Sequence, residues 1–474
     1  MTEQGQGGLA RAPRLPLVTR ALPVLVGLLA AALLVALARR PYRAFDTYFH
    51  LRFGEEFRGG WSIAHPGHVS AASTNDWLPT QWLAQVALAW VADTAGTTGL
   101  VLTFAALVAL LTAALYLLLR RRAGRTTAAL LTCVVVLGWL PSLSLRPQVL
   151  SYLLLIAVVA AWDRARRCGR PPWLLVPLGW LWATCHGMWV LGIAVSAVLA
   201  VAVVVERRPG RRAALTLLAV PAGMLVAALA TPVGPRLVGA VLLVGSRADY
   251  FQEWRAPELL TLGAAPVTVL LVAAVLLLVR RDRVPPYPIA LLGVGGVFAV
   301  YSQRTLPLAL VVLACVVAEA LGRTTGPRPG PVSSVERGVV ATLAAGVVAL
   351  APLGSVLDDP ATDLRPFAGR LDALPPGSVV LTGWATGGVL LWTEPHLDVP
   401  LHGYGDVYTD AELERYDDLA DLAPGWDRTL QGLDPDAALL PVDDPLGYAL
   451  TGRGWSVVQR ADDLELLAPP TPDR

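Results

Sequence analysis

Charge is scarce in this chain. Of its 474 residues, 16% are charged and 55% are hydrophobic. Soluble domains carry roughly 25% charged residues, so an ordinary soluble protein is excluded. Apolar runs near the roughly 20 residues needed to cross a bilayer recur along most of the chain before Asp358, which makes this a polytopic membrane protein. Lysine is absent: every basic residue is an arginine, a composition bias from which no chemistry follows. Cysteine is rare as well. Cys133, Cys168, Cys185 and Cys315 lie in or beside apolar spans and share no ligand spacing. No disulfide framework or zinc motif is visible, and the four read as small packing residues. A small-residue cleavage site is missing after the first apolar run, 21–38, which leads instead into Arg39-Arg40-Pro41 and an aromatic loop. That run is a retained span rather than a signal peptide.

What charge there is divides unevenly. From Asp358 onward there are 22 acidic residues and 7 arginines, a net of −15, while the remainder has 14 and 31, a net of +17. Such a shift predicts a domain boundary near Leu357. Spans are expected at 21–38, 98–119, 126–141, 149–162, 172–186, 188–205, 213–231, 266–280, 285–302, 306–321 and 339–357. They must be helical, because a single segment in lipid has no other way to pair its backbone. Alternate loops hold the arginine clusters: Arg120-Arg121-Arg122 with Arg125, then Arg164, Arg166, Arg167 and Arg170, then Arg207, Arg208, Arg211 and Arg212, then Arg280, Arg281 and Arg283, then Arg323, Arg328 and Arg337. With Arg11, Arg14 and Arg20 of the N-terminal tail (1–20), they mark the cytoplasmic side. Eleven spans then leave the acidic part, 358–474, outside a plasma (inner) membrane.

The first outer loop, 39–97, is long and rich in Trp, His and Asp; its apolar segment Pro79–Ala92 reads as a helix lying at the interface. In the tail, Gly377–Thr382 and Ala437–Val442 read as strands, and Thr409-Asp410-Ala411-Glu412 as a capping box opening an acidic helix to about Leu422. Trp455–Arg460 and Leu464–Leu467 read as a closing hairpin. The expected architecture is an all-α polytopic bundle of about 11 transmembrane helices followed by a small extracytoplasmic α/β domain. Gly383-Trp384-Ala385-Thr386-Gly387-Gly388 lacks the spacing of a nucleotide fingerprint, and no nucleic-acid partner is expected.

Asp46 is the first candidate for chemistry. It follows the first span within Phe45-Asp46-Thr47-Tyr48-Phe49-His50, on the face where lipid-linked headgroups lie, and suits a base that takes a proton from an acceptor hydroxyl. The bland alternative is a solvated carboxylate or a partner for Arg43 or Arg52. His50, Glu55, Glu56, His65 and His68 share the loop, but their spacing matches no strong ligand motif; no cofactor is called for, with a divalent metal as an open alternative. Asp76-Trp77 is a candidate second carboxylate or sugar platform, against an interfacial tryptophan belt. Arg146, His186 and Arg304 stand at outer ends of apolar spans, where ionisable groups are expensive and face a cavity or a partner. An arginine fork matches phosphate; snorkelling to the headgroups is the alternative. Glu253-Trp254 is a candidate acceptor contact or a loop cap.

In this order, these motifs resemble those of the bacterial GT-C superfamily of integral membrane glycosyltransferases, in a branch with a C-terminal extracytoplasmic domain. The likeness is carried by Asp46, Tyr48-Phe49, His50 and Gly54, then Ser73-Thr74, Trp77 and Trp82-Leu83, then Arg146-Pro147-Gln148, Trp182-Ala183, His186-Gly187, Thr231-Pro232-Val233-Gly234, Glu253-Trp254 and Arg304. In the tail it is carried by Leu374-Pro375-Pro376-Gly377, Gly387-Gly388 and Gly405-Asp406-Val407-Tyr408. The resemblance implies an outward-facing site, a polyprenyl-phosphate sugar donor, a glycan, lipid or protein acceptor, and Asp46 as catalytic base. Arg146 and Arg304 would hold the donor phosphate, with His50, Asp76, Trp77, His186 and Glu253 binding substrate or supporting. One departure is that Asp46 has no acidic neighbour before Glu55-Glu56, where many members carry adjacent acids. The rival expectation is a non-catalytic transporter or assembly subunit for lipid-linked envelope glycans; the absence of internal repeats weighs against it.

Overall fold

The computed structural model describes residues 27, 45–247, 252–324, 331–354 and 360–470. The N-terminal tail, all of the expected first span but Gly27, and the boundary near Leu357 lie outside the described residues. Helix α1, Asp46–Arg58, is followed by a non-helical stretch and then α2, Trp82–Arg120. The bundle continues with α3 (Arg125–Trp139), α4 (Gln148–Cys168), α5 (Leu175–Cys185), α6 (Trp189–Arg207), α7 (Arg211–Leu229), α8 (Leu237–Ser246), α9 (Ala265–Val279), α10 (Pro286–Tyr301), α11 (Leu306–Thr324) and α12 (Ser334–Leu350). Among the described residues, seven helical segments are long and apolar enough to cross a membrane, and α5, α9 and α10 are shorter apolar helices. Together these ten coincide with the ten expected spans after the first. The protein is a multi-pass membrane protein.

Helix ends follow the local chemistry. Gly169, at φ 73°, closes α4 by giving its N–H to Ala165 O, a left-handed cap that favours glycine. At one end of the bundle, buried arginines find carboxylates. Arg122 Nη2 lies 2.5 Å from Asp163 Oδ1, with both side chains 4% exposed. Arg166 pairs with Glu206 at 2.8 Å and with Glu319 at 3.0 Å. Arg146, His186 and Arg304 gather at the opposite end.

The expected interfacial helix differs in extent. It starts at Trp82 and runs on into the next span as one 39-residue helix, interrupted at Gly96 (φ 58°, ψ −157°). A single glycine in a conformation closed to other residues lets the segment change direction without a loop. Helix α1 packs on this first part of α2 at Gly54, where an added Cβ would stand 2.1 Å from Gln85 O.

The tail carries the short helices α13 (Pro360–Leu364) and α14 (Ala368–Leu371), strand β1 (Val380–Thr382), helices α15 (Trp384–Thr393), α16 (Asp410–Ala420) and α17 (Trp426–Leu433), strand β2 (Ala437–Pro441), helix α18 (Pro445–Thr451), and strands β3 (Ser456–Ala461) and β4 (Leu464–Ala468). The sheet order is β1-β2-β4-β3. Strands β1 and β2 are parallel, with Val380 beside Ala437, and the β3–β4 hairpin is antiparallel. Both expected strands, the hairpin and the capping box of α16 are present.

Composition separates the tail from the bundle, yet the two share one continuous apolar cluster that runs through the first-loop aromatics. Polar contacts lock the same junction. Ser70 Oγ donates to Asp398, Thr74 Oγ1 to Glu412 Oε1 at 2.7 Å, and Asn75 Nδ2 to Asp406 O at 2.7 Å. Tyr416 OH donates to Ala72 O at 2.7 Å. Helix α15 lies against the start of α1: a Cβ on Gly388 would approach Phe45 O to 3.1 Å.

Candidate active site

Asp46 is the first residue of α1, where the helix dipole favours a carboxylate. Its neighbour Thr47 gives a hydrogen bond to Leu145 O at 3.1 Å, which fixes α1 to the loop before α4. That loop carries Arg146, whose Nε donates to Ser144 Oγ at 2.8 Å. The guanidinium is therefore aimed by its own turn. Its Nη1 donates to Asp46 Oδ2 at 2.6 Å and to Glu253 Oε1 at 3.0 Å, so one cation bridges two carboxylates.

Glu253 sits on a single turn, Gln252–Trp254, and Arg304 on another, Gln303–Thr305. The turns are tied by Gln303 N–H to Arg255 O at 3.0 Å. Arg304 Nε lies 3.5 Å from Glu253 Oε2 and makes no hydrogen bond, while the guanidinium lies over the Trp254 ring, 4.8 Å from its centroid. The result is a chain of alternating charge, Asp46–Arg146–Glu253–Arg304. Burial works to raise the Glu253 carboxyl, but Arg304 and Arg146 outweigh it and hold the group below its ordinary value.

These four side chains line one cavity of about 690 Å³. His50 and His186 line it as well. His50 Nδ1 lies 3.2 Å from Gln85 Nε2, and burial, with Arg146 and Arg304 nearby, holds it well below the usual histidine value and so neutral. Ser151 Oγ accepts from Trp182 Nε1 at 2.8 Å and shares a hydrogen bond with His186 Nδ1 at 2.8 Å. Each imidazole is thus oriented by a hydrogen bond at its Nδ1.

Of the eight residues singled out from the sequence, the cavity collects Asp46, His50, Arg146, His186, Glu253 and Arg304. It does not include Asp76 or Trp77. Asp76 is 76% exposed at its side chain and pairs with Arg236 at 3.2 Å. Trp77 is 2% exposed, packs edge-on against Phe53 and Tyr404, and donates to Gly67 O at 3.1 Å. The expected second carboxylate or sugar platform there is instead a surface ion pair and a core tryptophan. The second carboxylate beside Asp46 is Glu253, from a different loop. Glu56 pairs with Arg52 at 2.7 Å, and among the described residues no three His, Cys, Asp or Glu side chains are gathered to hold a metal.

Sequence reasoning missed a third side of the cavity. Trp384, Tyr404, Asp406 and Asp417 reach it from the tail, and Arg247 from the loop after α8. Arg247 is buried and donates to Asp410 Oδ1 at 2.7 Å, Gly405 O at 3.0 Å and Tyr408 O at 2.9 Å. It pins the tail to the bundle. An arginine directly after an apolar run in an outer loop was the available signal.

No protein-family model matches this chain, and none of the curated proteins matches it. Solved structures do. The apo oligosaccharyltransferase of Archaeoglobus fulgidus aligns with a TM-score of 0.52 at 10% identity, over 90% of this chain and 70% of its own. Apo ArnT of Cupriavidus metallidurans aligns at 0.49 and 15% identity, over 95% and 98%. The arabinofuranosyltransferase AftD from Mycobacteria aligns at 0.42 and 16% identity, over 96% and 40%. All three are GT-C superfamily glycosyltransferases. At such identities the likeness is one of fold alone, and the first of the three carries it: this chain shares the fold of that oligosaccharyltransferase.

Proposed function

We propose that this protein is a membrane glycosyltransferase that moves a sugar from a polyprenyl-phosphate donor to an acceptor hydroxyl outside the plasma membrane. The observation that carries the proposal is the alternating chain Asp46–Arg146–Glu253–Arg304 on the wall of one cavity, with distances of 2.6, 3.0 and 3.5 Å along it. The arginine-rich loops mark the cytoplasm, so the cavity and the tail face outward.

In the proposed step, Asp46 accepts the proton of the acceptor hydroxyl as its oxygen attacks the anomeric carbon. The bond from that carbon to the phosphate oxygen breaks, and polyprenyl phosphate leaves with the electron pair. Arg146 and Arg304 receive the growing negative charge in a partly dry site, where fixed donors are most effective. Glu253 now lies between those two guanidiniums; the donor phosphate takes over this position when it binds. His50 stays neutral, and both His50 and His186 act as hydrogen-bond partners.

The test is purified protein in lipid, incubated with a panel of radiolabelled polyprenyl-phosphate sugars and total envelope acceptors. Transfer from one member of the panel is expected. Donor binding with no turnover across the panel would overturn the enzyme assignment and favour transport or assembly of lipid-linked glycans.

A further inference from the structure

The tail supplies part of the cavity wall as well as covering it. Trp384 opens α15 and lines the cavity half-buried. Its Nε1 donates to Asp417 Oδ1 at 3.2 Å. Tyr408 and Tyr416 meet the indole edge-on, with centroids at 5.5 and 6.5 Å. The ring is therefore held in one orientation before any ligand arrives, which spares the ligand the cost of ordering it. Asp417 and Asp406 share this wall, and a carboxyl group offers acceptor oxygens in either protonation state.

A second observation comes from the bundle side. Gln148 lines the same cavity, is 3% exposed, and donates from Nε2 to Tyr152 OH at 2.7 Å. Its Oε1 is buried without a partner. A buried acceptor left unpaired is costly, so a turn of the Gln148 amide toward the cavity it lines, to meet a ligand hydroxyl, would relieve it. The site thus offers a locked aromatic plane and several acceptors, a combination suited to a ring with apolar C–H faces and many O–H groups.

We propose that Trp384, Asp417 and Asp406 form the subsite for a neutral saccharide acceptor, with Gln148 accepting a sugar hydroxyl on the bundle side. That the saccharide is an acceptor rests on the transferase function proposed above, in which the donor phosphate occupies the Arg146–Arg304 side. The preference for a neutral ring follows from charge: the chain from Asp358 onward carries a net of −15, so an anionic glycan is repelled on approach.

Binding alone tests this, on full-length protein in nanodiscs titrated by calorimetry with mannohexaose, maltohexaose, hexagalacturonate and a cationic hexapeptide. At least one neutral hexasaccharide is expected to bind. Trp384→Ala should weaken that binding about tenfold, with recovery in Trp384→Phe to within about threefold. Asp417→Ala removes the acceptor that holds the indole and should weaken binding to a smaller extent. Hexagalacturonate should bind at least about tenfold more weakly than the neutral glycan. The proposal is overturned if neither neutral hexasaccharide binds, if Trp384→Ala leaves binding unchanged in a folded protein, or if hexagalacturonate or the peptide binds more tightly. Because no turnover is read, Trp384-dependent glycan binding in a protein that transfers nothing would leave the subsite standing and the transferase function refuted.

Discussion

Removing Arg146 should do two separable things. Its side chain is 11% exposed and holds Asp46 and Glu253 at 2.6 and 3.0 Å. Taking one partner out of a fully buried ion pair costs about 3–5 kcal/mol. Here the two carboxylates keep 39% and 46% exposure, so water relieves part of the loss, and Arg146→Ala should destabilise by about 2 kcal/mol. Arg146→Lys keeps the charge but not the fork, since one ammonium cannot serve Ser144 and both carboxylates in the same geometry, and should cost about half as much. The stability assay is thermal unfolding in nanodiscs with a double-mutant cycle against Glu253→Gln. Neutralising Glu253 removes one of the two stranded charges, so the cycle should show a coupling of at least about 0.5 kcal/mol. Donor affinity reads the other effect: losing a charged hydrogen bond to phosphate should raise the Kd about 10- to 100-fold. Wild-type stability and wild-type donor affinity in Arg146→Ala would refute the arrangement.

Two further perturbations act at a distance from the chemistry. Gly54→Ala places a Cβ 2.1 Å from Gln85 O, which should force α1 off α2, cost about 1–3 kcal/mol and lower kcat about 100-fold through a misplaced Asp46; unchanged kcat and melting temperature would count against this packing. Glu412 accepts from Thr409 N at 2.7 Å and Thr74 Oγ1 at 2.7 Å. Burial raises its carboxyl, but the bonds from Thr409 and Thr74 prevail and hold it below its ordinary value of 4.5. A depressed folded value means the contribution, about 2 kcal/mol, is present above about pH 4.5 and fades as pH falls through the folded value. The stability gap between wild type and Glu412→Gln should therefore be full at pH 7 and close in the acid range below 4.5. A gap independent of pH would contradict the assignment.

Much of this was legible in the sequence, for identifiable reasons. The spans were legible because lipid demands long apolar helices. Asp46, Arg146, His186 and Arg304 were legible because ionisable groups at span ends need a cavity or a partner. The pairing of Asp46 with Arg146, 100 residues apart, was not, and neither was the identity of the second carboxylate. Looking near Asp46 in sequence found Asp76, which faces solvent, and Glu55-Glu56, where Glu56 meets Arg52 one helical turn away. Glu253 comes from a loop that only helix packing brings close. Trp77 shows a different limit: an aromatic in an outer loop reads the same whether it faces a sugar or the core, and here Phe53 and Tyr404 enclose it. The tail's strands and capping box were visible locally, but its docking onto the first loop, and so Trp384 and Asp417 in the cavity, depends on contacts spanning more than 300 residues, such as Thr74 to Glu412.

The most direct measurement compares wild type with Asp46→Asn for donor binding and for single-turnover sugar transfer in the same nanodiscs. Asparagine keeps the shape, removes the base and takes one negative charge from the cavity. Donor should bind at least as tightly as to wild type, while transfer falls by about 10²–10⁴, the contribution expected of a general base. Transfer by the folded variant within a few-fold of wild type would contradict the assignment of Asp46 and with it the mechanism proposed for this cavity.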